Sequence, residues 1–93
     1  MRILNEFGSS TYLGTGAAVS VTLGFKPVCV IVWNETDGDE LFIHINGMAA
    51  GSAIVSAAAV SAGSTNYVTL SNTGFSAGTS MSESGDTFRY LAF

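Results

Sequence analysis

Charged residues are scarce in this chain, and positively charged residues are the scarcest of all. Only 11% of its 93 residues are charged, and the three cations are Arg2, Lys26 and Arg89, which leaves a formal net charge of −4. Proteins that bind nucleic acids or anionic membranes need clustered Lys or Arg to neutralise phosphates. We therefore expect neither a nucleic-acid partner nor a membrane partner.

Cysteine and histidine each occur once, which restricts the chemistry open to this chain. Cys29 lies in the apolar run 28–32 (VCVIV), where a buried and inert thiol is expected, and a single cysteine excludes an internal disulfide. His44 has no second histidine to act with, and acid–base catalysis needs paired titratable groups in a pocket. The sequence predicts that the protein is not an enzyme and has no catalytic residue, cofactor or structural metal.

Apolar runs of membrane-spanning length are missing as well. A transmembrane helix needs about 20 consecutive apolar residues, and no such run occurs. Residues 1–7 (MRILNEF) also lack the continuous apolar core of a signal peptide. We expect the chain to be made and folded in a cytoplasm.

Small side chains are what the sequence has in abundance. Ala, Gly, Ser and Thr make up 43 of the 93 residues. Docking a small, weakly charged surface sacrifices little hydration and little side-chain entropy, and a domain of this size is stabilised by only about 5–10 kcal/mol. These properties favour a homo-oligomer, although a Ser/Gly-rich β protein without a partner would have the same composition.

Turn residues separate short apolar segments at the spacing of an all-β protein. We predict one domain, residues 1–93, built as a compact antiparallel β-sandwich or β-barrel-like fold of about six to eight short strands, with residues 1–16 as an extended N-terminal arm. Residues 28–33 (VCVIVW) are apolar throughout, which predicts a central strand covered on both faces. The Asp37-Gly38 turn predicts that this strand forms a hairpin with residues 41–46.

Within residues 41–46 the side chains alternate between two faces. Leu41, Ile43 and Ile45 are expected to face the core, which leaves Phe42 and His44 facing solvent or a neighbour. Residues 53–60 are predicted to be an extended or edge segment rather than a short helix, because the flanking glycines leave fewer than three helical turns. Further strands are predicted at residues 67–70, 75–81 and 87–93.

Acidic and aromatic side chains are the remaining candidates for binding. Residues 35–40 (ETDGDE) predict a solvated hairpin tip, with a weak cation site or a contact to a basic partner as alternatives, because the spacing falls short of a twelve-residue calcium loop. Exposed aromatic residues can anchor sugars or proteins, although each can equally be an ordinary strand residue. The candidates are Tyr12, Phe42, Tyr67, Tyr90 and Phe93.

Three segments resemble small structural proteins of tailed bacteriophages. These are the strand start at residues 24–30 (GFKPVCV), the hairpin at residues 34–39 (NETDGD) and the closing strand at residues 85–93 (GDTFRYLAF). Similar GF-x-P, N-x-T-D-G and G-[DE]-T-aromatic-x-[WY]-x-A-F patterns occur in virion components. The resemblance covers most of the chain from Gly24 onward.

The resemblance implies a capsid decoration (cement) protein, which would bind the major capsid protein on the outer shell of the virion as a homotrimer after synthesis in the bacterial host cytoplasm. The uncharged stretch 47–63 is then the expected contact with a neighbouring protomer or the shell. The alternative is a tail-fibre or head-fibre module that binds host-surface polysaccharide. The predicted interface residues are Ala49, Ala50, Ala57, Ala58, Ala59, Phe42 and His44.

Overall fold

A computed structural model describes residues 7–57 and 59–93 and shows an all-β domain, as predicted. Apart from its eight strands, the described chain contains one short 3₁₀ helix at Thr79–Met81. The strands are β1 (Gly8–Leu13), β2 (Val19–Thr22), β3 (Cys29–Asn34), β4 (Leu41–Ile45), β5 (Ser52–Ser56), β6 (Val60–Ser71), β7 (Gly74–Ala77) and β8 (Thr87–Ala92).

All eight strands belong to one antiparallel sheet that curls until it is nearly closed into a barrel. The strand order is β1-β8-β3-β4-β5-β6-β7-β2, so β1 and β2 are the two outer strands. Rings from the two halves of the sheet meet inside, where Phe75 of β7 lies edge-on to Tyr90 of β8 with 5.5 Å between ring centres. Backbone hydrogen bonds near the seam, such as that from Gly16 N–H to Ser82 C=O at 2.7 Å, fix the turn that follows β1.

The core fills the inside of this curled sheet with large apolar side chains. Phe88 stacks on Tyr12 with ring centres 5.1 Å apart, and the Tyr12 hydroxyl donates a 2.8 Å hydrogen bond to the Met81 carbonyl. Burial raises the pKa of the Tyr12 phenol well above its ordinary value, because the charged form would lose its hydration. The buried apolar residues are Tyr12, Val30, Val32, Phe42, Ala53, Val68, Phe75, Ala77, Met81, Phe88 and Ala92.

The hairpin between β3 and β4 forms as the Asp-Gly signal predicts. Its strands pair antiparallel, and Gly38 adopts a positive φ of 76° in the connecting turn. The buried Asn34 side chain organises this turn, because its Oδ1 accepts the N–H groups of Thr36 and Asp37, both at 3.1 Å. Sequence-local chemistry is sufficient to define this element.

Two predictions about which way side chains face are wrong. In β3, Val30 and Val32 point into the core, whereas Ile31 is half-buried and Trp33 is exposed on the outside, so the strand is not covered on both faces. In β4 the predicted faces are reversed, with Phe42 and His44 inside. The imidazole of His44 can be buried in the core because its Nδ1 forms a 2.7 Å hydrogen bond with the Ser52 carbonyl.

Three other predictions need correction in their details. The extended conformation predicted for residues 53–60 is found at residues 53–56 in β5, and Val60 already belongs to β6; β5 lies between β4 and β6 and is not an edge strand. The strand predicted at residues 75–81 ends at Ala77, since Thr79–Met81 forms the 3₁₀ helix. The arm predicted over residues 1–16 is wrong for β1, which pairs with β8 along its whole length, and residues 1–6 lie outside the described part.

Candidate functional site

An apolar surface on the outside of the sheet is the main candidate site. Alternation along each strand places large side chains on the outer face of β8, β3, β4 and β5, where they meet across strands. Ile31 lies opposite Leu91 on one side and opposite Ile43 on the other, and Ile43 in turn lies opposite Ile54. We call this surface the outer apolar face, and its residues are Ile31, Trp33, Leu41, Ile43, Ile45, Ile54 and Leu91.

The outer apolar face is open to solvent at its margins and half-buried at its centre. Trp33 and Leu91 are each 40% exposed and Ile45 is 44% exposed. Four strands about 4.8 Å apart and about five residues long give a face of roughly 300 Å². Apolar patches of about 300–600 Å² are the largest that ordinary monomers carry, and they are often functional.

The other strands show that an apolar exterior is not a general property of this barrel. The outward side chains of β2 are Ser20 and Thr22, and Ser76 and Thr69 are the outward partners in the β7–β6 pair. Polar exteriors are the rule for antiparallel sheets with one buried face. The outer apolar face is therefore a local feature of β8, β3, β4 and β5, and it needs its own explanation.

Two shallow hollows flank the Trp33 ring. The smaller one, of about 210 Å³, lies towards β8 and β1. The larger one, of about 300 Å³, lies towards the β3–β4 turn and the end of β5. The smaller hollow is lined by Ser9, Ile31, Trp33, Arg89, Tyr90 and Leu91, and the larger by Trp33, Gly38, Asp39, Glu40, Leu41, Ser56 and Ala57.

Charges lie at the rim of the outer apolar face and not within it. Arg89 donates a 2.8 Å hydrogen bond from Nε to the Glu35 carboxylate, and this contact raises the pKa of the Arg89 guanidinium. Both side chains are solvated, so the pair adds little to stability. No Asp, Glu, Lys or Arg occurs between Glu40 and Glu83, a stretch that includes β4, β5, β6 and β7.

The acidic residues of the described chain gather at one end of the barrel. Carboxylate oxygens of Asp37, Glu83 and Asp86 lie within 4.8 Å of one another, and the Asn34 amide donates to Asp86 at 3.0 Å. A side-chain hydrogen bond between Glu83 and Asp86 raises the pKa of Glu83 and lowers the pKa of Asp86. We call this region the acidic end, and its residues are Glu35, Asp37, Asp39, Glu40, Glu83 and Asp86.

The acidic end combines the predicted hairpin tip with a second segment. Glu83 and Asp86 come from the turn before β8, and no local sequence pattern predicts that this turn lies beside Asp37. Such oxygens suit a hard cation, although exposed acidic groups commonly cluster without one. Partial desolvation and the neighbouring charges of Asp86 and Asp39 raise the pKa of Asp37, so like-charge repulsion is already present here.

The two side chains with the best nucleophile and base chemistry lie on opposite sides of the sheet. Cys29 sits on the outer face of β3, and His44 points into the core from the neighbouring strand β4. Burial of the thiol raises the pKa of Cys29, which reduces its thiolate fraction at neutral pH. These two residues cannot act as a nucleophile–base pair in this fold.

No family model, curated protein or solved structure matches this chain. Within residues 7–57 and 59–93, no helix has the length and apolar character needed to cross a bilayer. What the outer apolar face can do must therefore be read from its own residues.

The predicted interface residues do not form one surface. Ala49 and Ala50 are exposed in the β4–β5 turn, whereas Ala57 and Ala59 are exposed at the other end of β5, about 15–20 Å away for a five-residue strand. Ala58 lies outside the described residues. Phe42 is wrong as an interface residue because it is only 1% exposed, and His44 is equally enclosed at 2%.

Of the aromatic candidates, only one is openly exposed. Phe93 is 42% exposed, Tyr67 and Tyr90 are half-buried, and Tyr12 and Phe42 belong to the core. Trp33, which lies between the two hollows, is not among the aromatic residues that the sequence suggests. The available signal was that β3 and β4 are apolar at nearly every position, which means that one of their faces must be an apolar exterior if the other lines the core.

Proposed function

We propose that this chain is a non-enzymatic structural protein that coats the outside of a tailed-phage capsid and attaches through the outer apolar face. The observation that supports attachment is the apolar patch itself, centred on Ile31 and Ile43 and ringed by polar groups such as Arg89. A desolvated apolar centre inside a polar rim is the usual anatomy of a protein–protein interface. The choice of a phage capsid as the partner comes from the sequence resemblance.

The size of the outer apolar face favours attachment in several copies. Covering roughly 300 Å² of apolar surface at about 25 cal/mol per Å² gives a gross gain of about 7–8 kcal/mol. Immobilising a protein costs about 4–15 kcal/mol, so a single copy would be held weakly. Linking copies into an oligomer makes later contacts intramolecular and strengthens the whole attachment.

A role without catalysis is consistent with where the reactive groups lie. His44 is enclosed in the core with its Nδ1 engaged by the Ser52 carbonyl, and Cys29 has a raised thiol pKa on the opposite side of the sheet. The two hollows beside Trp33 are shallow and lack a paired acid and base held out of water. Binding, and not turnover, is what this surface offers.

A second candidate function is a fibre module that binds host-surface polysaccharide. The observation in its favour is Trp33, which is 40% exposed beside a hollow lined by Asp39, Glu40 and Ser56. An aromatic ring next to carboxylates and a hydroxyl can stack on a sugar and hydrogen-bond its alcohols. This site would need only Trp33 and its neighbours, not the whole outer apolar face.

Co-sedimentation with purified empty heads of candidate tailed phages tests the proposal. We expect wild-type protein to pellet with heads of the cognate phage at a saturating, symmetric stoichiometry, and Ile43→Lys to lose binding at least tenfold because a charge would be buried against the shell. Thr69→Lys is the matched control, since Thr69 is exposed on the outer side of β6, away from the outer apolar face. If Ile43→Lys and Thr69→Lys bound equally well, the outer apolar face would not be the attachment surface.

The fibre alternative predicts a different result. Binding to bacterial surface polysaccharide that is lost in Trp33→Ala and unaffected by Ile54→Lys would favour the module, because Ile54 lies two strands away from Trp33. Binding to heads and not to polysaccharide would exclude it.

A further inference from the structure

Strand β6 is only half enclosed by its neighbours. It is 12 residues long, and β5 pairs with its first half at Val60–Gly63. Beyond a register shift that leaves residues 64–67 as a bulge, β5 also pairs with Val68. Strand β7 pairs only with the second half of β6, at Val68–Ser71. Within the described chain, no strand lies along the other side of the first half. We call residues 60–63 the open edge.

The open edge stands away from the body of the barrel. Val60 is 72% exposed, and Ser61 and Ala62 are also exposed, so solvent reaches both faces of the strand here. In an antiparallel pair every second residue points its N–H and C=O away from its partner strand. On the open edge these groups have no backbone partner among the described residues, and they are free to accept another strand.

Charged residues and proline, which protect many exposed strand edges, are missing within this one. Natural sheets protect such edges with Lys, Pro, charged side chains or bulges. Neither proline nor a charged residue occurs between Glu40 and Glu83, so the open edge itself carries neither, and the bulge at residues 64–67 only bounds it at one end. The outer strands β1 and β2 differ, because they approach each other across the seam of the barrel, where a side chain on Gly8 would meet Leu23.

We propose that the open edge pairs with the open edge of a second copy of this chain, in antiparallel orientation about a two-fold axis. A two-fold contact must be self-complementary, and a strand of small uncharged residues is compatible with its own copy in a way that a charged strand is not. Hydrogen bonds between the two backbones satisfy the outward N–H and C=O groups of both copies.

The charge distribution supports a second copy in this orientation. Leu41 begins β4 beside the acidic end, and its partner Ser56 places the start of β6 at the same end of the barrel. Antiparallel pairing directs the two acidic ends in opposite directions, whereas parallel pairing would set them side by side. Because each chain carries a net charge of −4, the electrostatic repulsion between the two copies is weaker in the antiparallel pair than in a parallel pair.

Edge pairing would also enlarge the outer apolar face. Ile54 lies opposite Ala62, so the outward row that runs through Ile31, Ile43 and Ile54 reaches the open edge. Joining two copies makes the two rows neighbours in one continuous sheet. The enlarged outer apolar face deepens the proposed function, and only this consequence of edge pairing rests on that function. The self-pairing itself is measured without any capsid.

The solution mass from light scattering gives the first test. Edge pairing predicts two 9.6 kDa chains, or an even multiple of them, at about 0.1 mM protein. Ala62→Lys should shift the protein to the mass of one chain or weaken self-association at least tenfold, while Thr69→Lys, on the half of β6 that pairs with β7, leaves the mass unchanged. A stable trimer would overturn edge pairing and leave the capsid proposal standing, and so would a dimer that ignores Ala62→Lys.

Disulfide trapping supplies a second readout that does not depend on the stability of a charged variant. With Cys29→Ser as background, Val60→Cys, Ser61→Cys and Ala62→Cys are oxidised in parallel, with Thr69→Cys as the control. In an antiparallel pair about a two-fold axis only the residue on the axis lies opposite its own copy, so neighbouring positions are tested one by one. Directly opposed residues have Cβ atoms about 4.5 Å apart in the closer type of pair, which is within reach of a disulfide. We expect one of the three edge variants to cross-link at least tenfold faster than Thr69→Cys, and equal rates at all four positions would overturn the proposal.

Discussion

Neighbouring residues of β4 should respond very differently to truncation, because one points into the core and the next lies on the outer apolar face. Phe42 is 1% exposed, and its ring lies 5.8 Å from that of Tyr67, whereas Ile43 is half-buried on the outside. Replacing a buried Phe with Ala costs about 3–5 kcal/mol, which is a large part of the total stability of a domain this small. For the half-exposed Ile43 the corresponding cost is about 1 kcal/mol or less.

Thermal unfolding of Phe42→Ala and Ile43→Ala measures this difference. At about 4–8 °C per kcal/mol for a domain of this length, the thermal midpoint of Phe42→Ala should fall by more than 12 °C, and that of Ile43→Ala by less than about 8 °C. Both should be measured at low protein concentration, so that self-association does not add to the apparent stability. Equal losses, or a larger loss for Ile43→Ala, would mean that the two faces of β4 have been assigned the wrong way round.

Three further predictions concern other parts of the fold. Gly74→Ala should destabilise the protein by about 1–3 kcal/mol in urea unfolding, because an added Cβ would overlap the Val21 carbonyl oxygen of β2, whereas Ser71→Ala should have little effect. Tyr12→Phe should destabilise the protein by about 1–2 kcal/mol, because it leaves the buried Met81 carbonyl without its hydrogen-bond donor. The raised pKa of the Tyr12 phenol means that stability is lost as the pH rises above the ordinary pKa of a tyrosine. An absorbance titration in alkali should therefore show one of the three tyrosines ionising only as the protein unfolds. The hydrogen bond to Asp86, and then the charges of Asp86 and Asp37, raise the pKa of Glu83, so this carboxyl contributes stability that is lost as the pH rises above the ordinary pKa of a glutamate. Glu83→Gln should remove that contribution, and a thermal scan at each pH should show a smaller loss in the variant, while an unchanged pH profile would contradict that assignment.

The parts of the fold that local chemistry determines could be predicted from the sequence. The Asp37-Gly38 turn needs only its own residues to adopt the required backbone, so the β3–β4 hairpin was predictable. The closing strand β8 was predictable for a similar reason, since an apolar, aromatic segment follows the turn at residues 84–86. The all-β class follows from repeated signals of this kind.

The direction in which β4 faces could not be predicted locally. Both of its faces carry large apolar residues, and hydrophobicity alone favoured Leu41, Ile43 and Ile45 for the core. The fold instead encloses Phe42 and His44, because His44 finds a hydrogen-bond acceptor in Ser52, which reaches it only after the β4–β5 turn has formed. The alternation of side chains along β4 gives no information about a hydrogen-bond acceptor eight residues further along the sequence.

The same reasoning explains why the sequence does not predict the outer apolar face. The 47–63 stretch is rich in small residues that suit close contact, yet the turn at Ala49 and the loop at Ala57 are separated by the length of β5 and do not form one surface. The outer apolar face is assembled from four strands that are distant in sequence, from Ile31 to Leu91. Only the register of the whole sheet brings these residues together.

Protection of the Cys29 thiol tests most directly whether the outer face of β3 is covered when the protein attaches to a capsid. Cys29 is the only cysteine, and it lies on the outer side of β3 opposite Ile45 of the outer apolar face. Its alkylation by iodoacetamide at about pH 8.5, where a thiol with a raised pKa still reacts, is followed by mass spectrometry of this chain with and without saturating heads. A Ser20→Cys variant reports in the same way from β2, outside the outer apolar face.

We expect bound heads to slow the alkylation of Cys29 at least tenfold and to leave the thiol at position 20 as reactive as in the free protein. Unchanged alkylation of Cys29 on protein that demonstrably sediments with the heads would contradict attachment through the outer apolar face.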